Sequence, residues 1–209
     1  MSASQQTPNI NSMILGVSRA QSLKSVYIWG PAFKISFWLK IDSYTVPNLR
    51  YGAWAELLRF TTTQHDCCSN RNANEGDRIP AIFTHRDGYI HITMAMGNNG
   101  NRYKNVWLSD KLWYKLELEQ YHKPSLSATD VTSTVSIAEQ LATIYVITKS
   151  NFQYVFQIKL DGKIIDYVEH KTAKHYNNVK VWIAEGRHHY PPANARVKEL
   201  SYENTGVYL

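Results

Sequence analysis

Side chains able to grip a ligand gather in three short stretches of this 209-residue chain. Asn98, Asn99, Asn101 and Arg102 set amide and guanidinium groups close to Trp107. That is a kit for a sugar: neutral hydroxyls need partners that both donate and accept, and the C–H face of a pyranose needs a ring to lie on. The same residues also suit a turn in which Asn and Gly supply backbone geometry and Trp107 enters the core. In the second stretch, Gln64 to Arg78, Asp66, Asn70, Asn72, Asn74, Glu75 and Asp77 crowd oxygen donors into a run with almost nothing to bury. Of these, Asp66, Asn72, Asn74 and Asp77 are the candidate calcium ligands. Their spacing is not that of an EF-hand, Arg71 and Arg78 oppose a cation, and an Asp77–Arg78 ion pair is the competing explanation. In the third stretch, Arg187, His188 and Tyr190 make a small basic rim for an acidic or sialylated partner. His188 and His189 are adjacent, so on an extended chain they point to opposite faces and do not share one ion.

Catalysis has one weak candidate. Glu117 and Glu119 alternate on one strand face, as the paired carboxylates of a retaining glycosidase must. The strand they sit on also has an ordinary structural explanation. No G-x-S-x-G, phosphate-binding loop, dinucleotide fingerprint or zinc spacing occurs. The expectation is a binding protein rather than an enzyme.

What must position these residues is a train of short alternating segments. Lys34 to Ile41, Tyr89 to Met94 and Tyr114 to Tyr121 each show one apolar and one wet face, the period of a half-buried strand. Gly-, Asn- and Pro-rich breaks separate them. Asp161-Gly162 gives the clearest two-residue hairpin signal, and Arg86-Asp-Gly marks another reversal. Further strands are expected at Met13 to Val17, Ser25 to Trp29, Trp54 to Phe60, Ile79 to Phe83, Ala142 to Ile147, Phe152 to Leu160, Asn178 to Ala184 and Ala195 to Tyr202. Loops are expected over Gln64 to Arg78, Gly97 to Asn101 and Gly186 to Pro192. About twelve strands in all fit an all-β sandwich of two packed antiparallel sheets. Residues 1–12 read as a flexible polar lead, and residues 13–209 as a single domain.

Composition adds bounds. A net charge of +6 favours acidic partners, but the cations are scattered and no specific nucleic-acid site stands out. No run of apolar residues is long enough for a membrane span. The polar start lacks the features of a secretory leader, so either the protein is made without one or one has been removed. Cys67 and Cys68 are neighbours, a geometry in which a bridge is strained and stabilises little, so two thiols are expected, with pairing to another chain as the alternative.

Taken in order, several phrases resemble the laminin G-like branch of the concanavalin A-like lectin and glucanase superfamily. These are Phe33-Lys-Ile-Ser-Phe-Trp-Leu-Lys-Ile, Gly76-Asp-Arg-Ile-Pro-Ala-Ile-Phe, Tyr89-Ile-His-Ile and Leu112-Trp-Tyr-Lys-Leu-Glu-Leu-Glu-Gln. Tyr154 to Lys163, Asn178-Val-Lys-Val-Trp-Ile and Pro192 to Leu200 continue the series, so the resemblance spans residues 13–204. It implies a jelly-roll sandwich that recognises glycans or extracellular glycoproteins from rim loops, sometimes with calcium. It also implies an extracellular or cell-surface setting, with a cytoplasmic one as the alternative. The longer acidic run of the glucanase relatives is absent around Glu117 and Glu119. The functional expectation is a non-enzymatic carbohydrate-binding domain. An adhesion or assembly module that self-associates is the alternative, and a glycoside hydrolase a distant third.

Overall fold

A computed structural model describes residues 21–46, 52–62, 78–97, 99–123, 153–183 and 191–205. Eleven strands are described: β1 (Gln21–Trp29), β2 (Phe33–Ser43), β3 (Trp54–Thr61), β4 (Ala81–His85), β5 (Tyr89–Met96), β6 (Asn99–Trp107), β7 (Trp113–Lys123), β8 (Gln153–Leu160), β9 (Lys163–His170), β10 (Tyr176–Ile183) and β11 (Asn194–Asn204). They form a six-stranded sheet, β1-β10-β3-β4-β5-β6, and a five-stranded sheet, β11-β2-β7-β8-β9. Every pairing between these strands is antiparallel. The expected strands at Met13 to Val17 and Ala142 to Ile147 lie outside the described residues, as do Cys67 and Cys68.

Alternation explains the packing. Phe33, Ile35, Phe37, Leu39 and Ile41 of β2 are fully buried, while Lys34, Trp38 and Lys40 between them face outward. Leu57, Phe60, Ile82, Ile90 and Ile92 answer from the six-stranded sheet, and the two inner faces close on one core. Burying each such side chain is worth about 1.5–3 kcal/mol. Gln120 is buried on the inner face of β7, where its amide donates to Pro31 O and its Oε1 meets Nδ1 of His170 at 2.6 Å. That bond spans β8 to reach β9 and removes the cost of burying an amide.

Turn chemistry fixes register. Asp161 and Gly162 both have positive φ, 48° and 78°, as the mirror-type two-residue hairpin requires. Asp161 Oδ1 also accepts from the Lys115 N–H at 2.8 Å, anchoring the hairpin tip to β7.

One expected boundary is corrected. Gly97 to Asn101 reads as a loop, yet β6 begins at Asn99. Among the described residues β6 is the last strand of its sheet and buries Val106 alone, so its polar residues cost nothing in water, and pairing with β5 carries the chain in extended form.

Candidate functional site

On β5 the inner face carries Ile90, Ile92 and Met94, so Tyr89, His91 and Thr93 look outward. Register extends this outer face across neighbouring strands. Tyr89 lies opposite His85 and Trp107, His91 opposite Phe83 and Asn105, and Thr93 opposite Ala81 and Tyr103. Trp54 joins from β3, opposite His85. The result is a contiguous field of rings. His85 stacks on Tyr89 with centroids 4.6 Å apart, Trp54 meets His85 at 4.4 Å and His91 at 4.9 Å, and Tyr103 lies 4.6 Å from His91. Trp107 meets Tyr89 edge to face at 5.0 Å. Each such pair contributes about 0.5–1.5 kcal/mol beyond area burial, so the rings hold one another in place.

The outermost rings are presented to solvent. Trp107 is 68% exposed and Tyr103 51%, both on β6, the last described strand of its sheet. Polar groups sit between and below them. His91 Nδ1 donates to Asn105 Oδ1 at 2.7 Å, and the Asn101 side chain also hydrogen-bonds to the ring. Burial, with the nearby Arg78 charge adding to it, pushes the His91 pKa below the ordinary histidine value, against the opposing hydrogen bond to Asn105. At neutral pH the ring is therefore uncharged. Asn101 Oδ1 accepts from Thr93 Oγ1 at 2.7 Å and from the guanidinium of Arg78. Arg78 is buried, and its guanidinium also stands 5.5 Å from the Phe83 ring centroid. Deeper on the same face, Arg59 and Glu56 form a buried ion pair at 3.1 Å, with the Pro191 to Ala193 backbone bonded along Glu56.

Of the residues singled out in the sequence, Asn101 and Trp107 fall on the outer side of β6, Asn99 lies opposite Met96 beyond a register shift, and Trp107 is not in the core. Arg102 does not join them. Consecutive strand residues point to opposite faces, and Arg102 turns toward the other sheet to pair with Asp166 of β9 at 3.0 Å. Asn98, Arg187, His188, Tyr190 and the calcium candidates Asp66, Asn72, Asn74 and Asp77 lie outside the described residues. Among the described residues, no group of three or more His, Cys, Asp or Glu is arranged to hold a metal ion. Glu117 and Glu119 do share the outer face of β7, but each is held by a cation. Glu117 pairs with Lys34 at 3.2 Å and Glu119 with Lys159 at 3.0 Å. Burial alone would push the Glu119 carboxyl up. Hydrogen bonds from Lys159 and Gln157 outweigh that and hold it below the usual range.

Sequence reasoning missed Trp54, His85, Tyr89, His91, Tyr103 and Asn105 as neighbours. Their alternation was visible segment by segment, but only cross-strand register brings residues 54, 85, 89 and 107 together.

The class defined by this architecture is the two-layer antiparallel jelly-roll sandwich of concanavalin A-like type. Among solved structures, the chain is similar to a native heptameric SAP-like pentraxin from Limulus polyphemus. The two are 8% identical with a TM-score of 0.50, over 98% of this chain and 74% of that one. It is also similar to an alginate lyase from a Chlorella virus, at 8% identity and a TM-score of 0.46, over 94% and 90% of the two chains. The receptor-binding domain of botulinum neurotoxin type G matches at 8% and 0.46, with this chain covering 44% of its length. At such identities the likeness is one of fold. No protein-family model matches the sequence, and no curated protein does. Among the described residues, no helix is long and apolar enough to cross a membrane.

Proposed function

We propose that the chain is a non-enzymatic carbohydrate-binding domain, of the laminin G-like kind, that works from the outer face of β4, β5 and β6. The observation that carries this is the pairing of exposed rings with fixed neutral polar groups. Trp107 and Tyr103 offer flat apolar surface, while the exposed Asn105 and half-buried Asn101 offer amide groups beside them. A sugar needs both at once. An extracellular or cell-surface setting, a glycoprotein as carrier of the glycan and a calcium contribution from Asp66, Asn72, Asn74 and Asp77 belong to the same proposal. Glu119, held below the usual carboxylate range by Lys159 and Gln157, does not supply the raised-pKa carboxyl that a glycosidase needs, which supports a role without turnover. A glycan array probed with and without calcium tests the idea. Binding to a defined sugar class is expected. A blank array with concentration-dependent self-association would instead identify an adhesion module that buries Trp107 and Tyr103 between copies.

A further inference from the structure

Hydrogen bonding on the outer face of β5 and β6 runs in one direction. It starts at Arg78, a buried side chain with donors only, whose guanidinium bonds to Asn101 Oδ1. Thr93 Oγ1 gives that oxygen a second hydrogen bond at 2.7 Å, so both of its lone pairs are taken. The Asn101 side chain also bonds to the His91 ring, and with its oxygen filled it brings an N–H to that contact. A neutral imidazole that accepts on one nitrogen donates from the other, and His91 Nδ1 donates to Asn105 Oδ1 at 2.7 Å. The ring is buried, so its effect reaches the surface through Asn105.

Asn105 is the exposed end of this series. One lone pair of its oxygen is spent on His91, and among the described residues no hydrogen bond uses the two N–H groups of its Nδ2. The site therefore asks its ligand for an acceptor. Strand alternation sets Tyr103 and Trp107 on the same side as Asn105, each about 7 Å along the strand from it at ~3.4 Å of rise per residue. Both rings are exposed, so the amide lies between two patches of apolar surface. Unopposed positive charge is lacking there. His91 is neutral, Arg78 is buried, Arg102 and Lys104 belong to the core-side face of β6, and Arg86 at the β4–β5 turn faces Asp87 at 3.8 Å. A strong acceptor that carries a methyl group and no net charge is an acetamido group.

We propose that this face reads the acetamido group of an N-acetylhexosamine, its carbonyl oxygen accepting from Asn105 Nδ2 and its methyl group lying against Trp107 or Tyr103. Arg78, Thr93, Asn101 and His91 are positioning residues that fix the direction of the Asn105 amide. This rests on the glycan-binding reading above and adds the substituent that is recognised.

Titration of the full chain with sugars matched in all but one group tests it. Chitotetraose, cellotetraose and the glucosamine tetramer share one backbone; N-acetylgalactosamine, galactose and galactosamine form a second series, and tetragalacturonate supplies a carboxylate. In at least one series the acetylated member should bind at least about tenfold tighter than its hydroxyl counterpart, with little dependence on salt. Its addition should also shift the nuclear magnetic resonances of the Asn105 side-chain amide. Asn105→Asp keeps the oxygen that His91 needs and turns the donor into an acceptor, so it should bring the acetylated-to-hydroxyl ratio to within about twofold of unity while the melting temperature stays close to the parent's. If that variant does not fold, the matched sugars and the amide resonances decide on the parent alone. Hydroxyl sugars that bind as tightly as acetylated ones, a response to tetragalacturonate alone that salt abolishes, or a folded Asn105→Asp that keeps the preference would each overturn the acetamido reading while glycan binding stands. If no carbohydrate of any kind binds, both ideas fall together.

Discussion

Arg102 and Asp166 join the margins of the two sheets. Arg102 sits on β6, the last strand of one layer, and its Nη2 meets Asp166 Oδ2 on β9, the last strand of the other, at 3.0 Å. The pair is partly exposed, 31% and 17% by side chain, so its worth is well below that of a buried pair. Arg102→Ala should lower unfolding free energy by about 1 kcal/mol. With Asp166→Ala already in place, the second change should cost almost nothing more. Urea denaturation of the two single variants and the double variant measures the coupling. Full additivity would show that the bridge contributes nothing.

Trp107 projects from the sandwich, 68% exposed, with Tyr89 and the β4–β5 turn against it. Trp107→Ala should therefore weaken glycan binding by about tenfold, or 1.4 kcal/mol, while the melting temperature barely moves. A large drop in melting temperature would mean that the ring is structural.

The His91 ring is buried with its pKa below the histidine norm, so the folded state takes up the proton less readily than the unfolded chain. Stability is then full above the unfolded value of about 6.5 and falls as pH drops through it toward the folded value. Denaturant midpoints at about pH 7.5 and 5.0 should differ more for the parent than for His91→Gln, which cannot titrate. Equal differences would exonerate His91.

Gly162 has a φ of +78° and open space around it, so a side chain there meets strain rather than a clash. Gly162→Ala should destabilise by about 1 kcal/mol. Asp161→Asn should be tolerated, because asparagine also accepts positive φ and keeps the oxygen that receives the Lys115 N–H. Thermal melts of the two variants give the comparison directly.

How far the sequence could be read follows from what each feature depends on. Period-two patterning is local, so β2, β5 and β7 were evident from Lys34 to Ile41, Tyr89 to Met94 and Tyr114 to Tyr121 alone. So was the Asp161-Gly162 reversal, since backbone sterics select those residue types. The start of β6 was not, because an edge strand wet on most of its surface, N-G-N-R-Y-K-N-V-W, has no apolar face to betray it. The site was half visible. Asn101 and Trp107 could be singled out by type, but Arg102 next to Asn101 faces the other way. The partners of Trp107 come from segments whose alignment is decided by pairing, not by sequence proximity.

On β6, Arg102 lies opposite Met94 and Lys104 opposite Ile92, so two cations occupy the core-side face of a strand that is the last of its sheet among the described residues. A newcomer strand adding there would have to cover the Lys104 ammonium and disturb the Arg102–Asp166 pair, and that is a barrier against templated growth. Among the described residues this border is thus guarded by electrostatics. Replacing Lys104 with valine would disarm the guard, and concentrated solutions of that variant should seed fibrils where the parent stays dispersed.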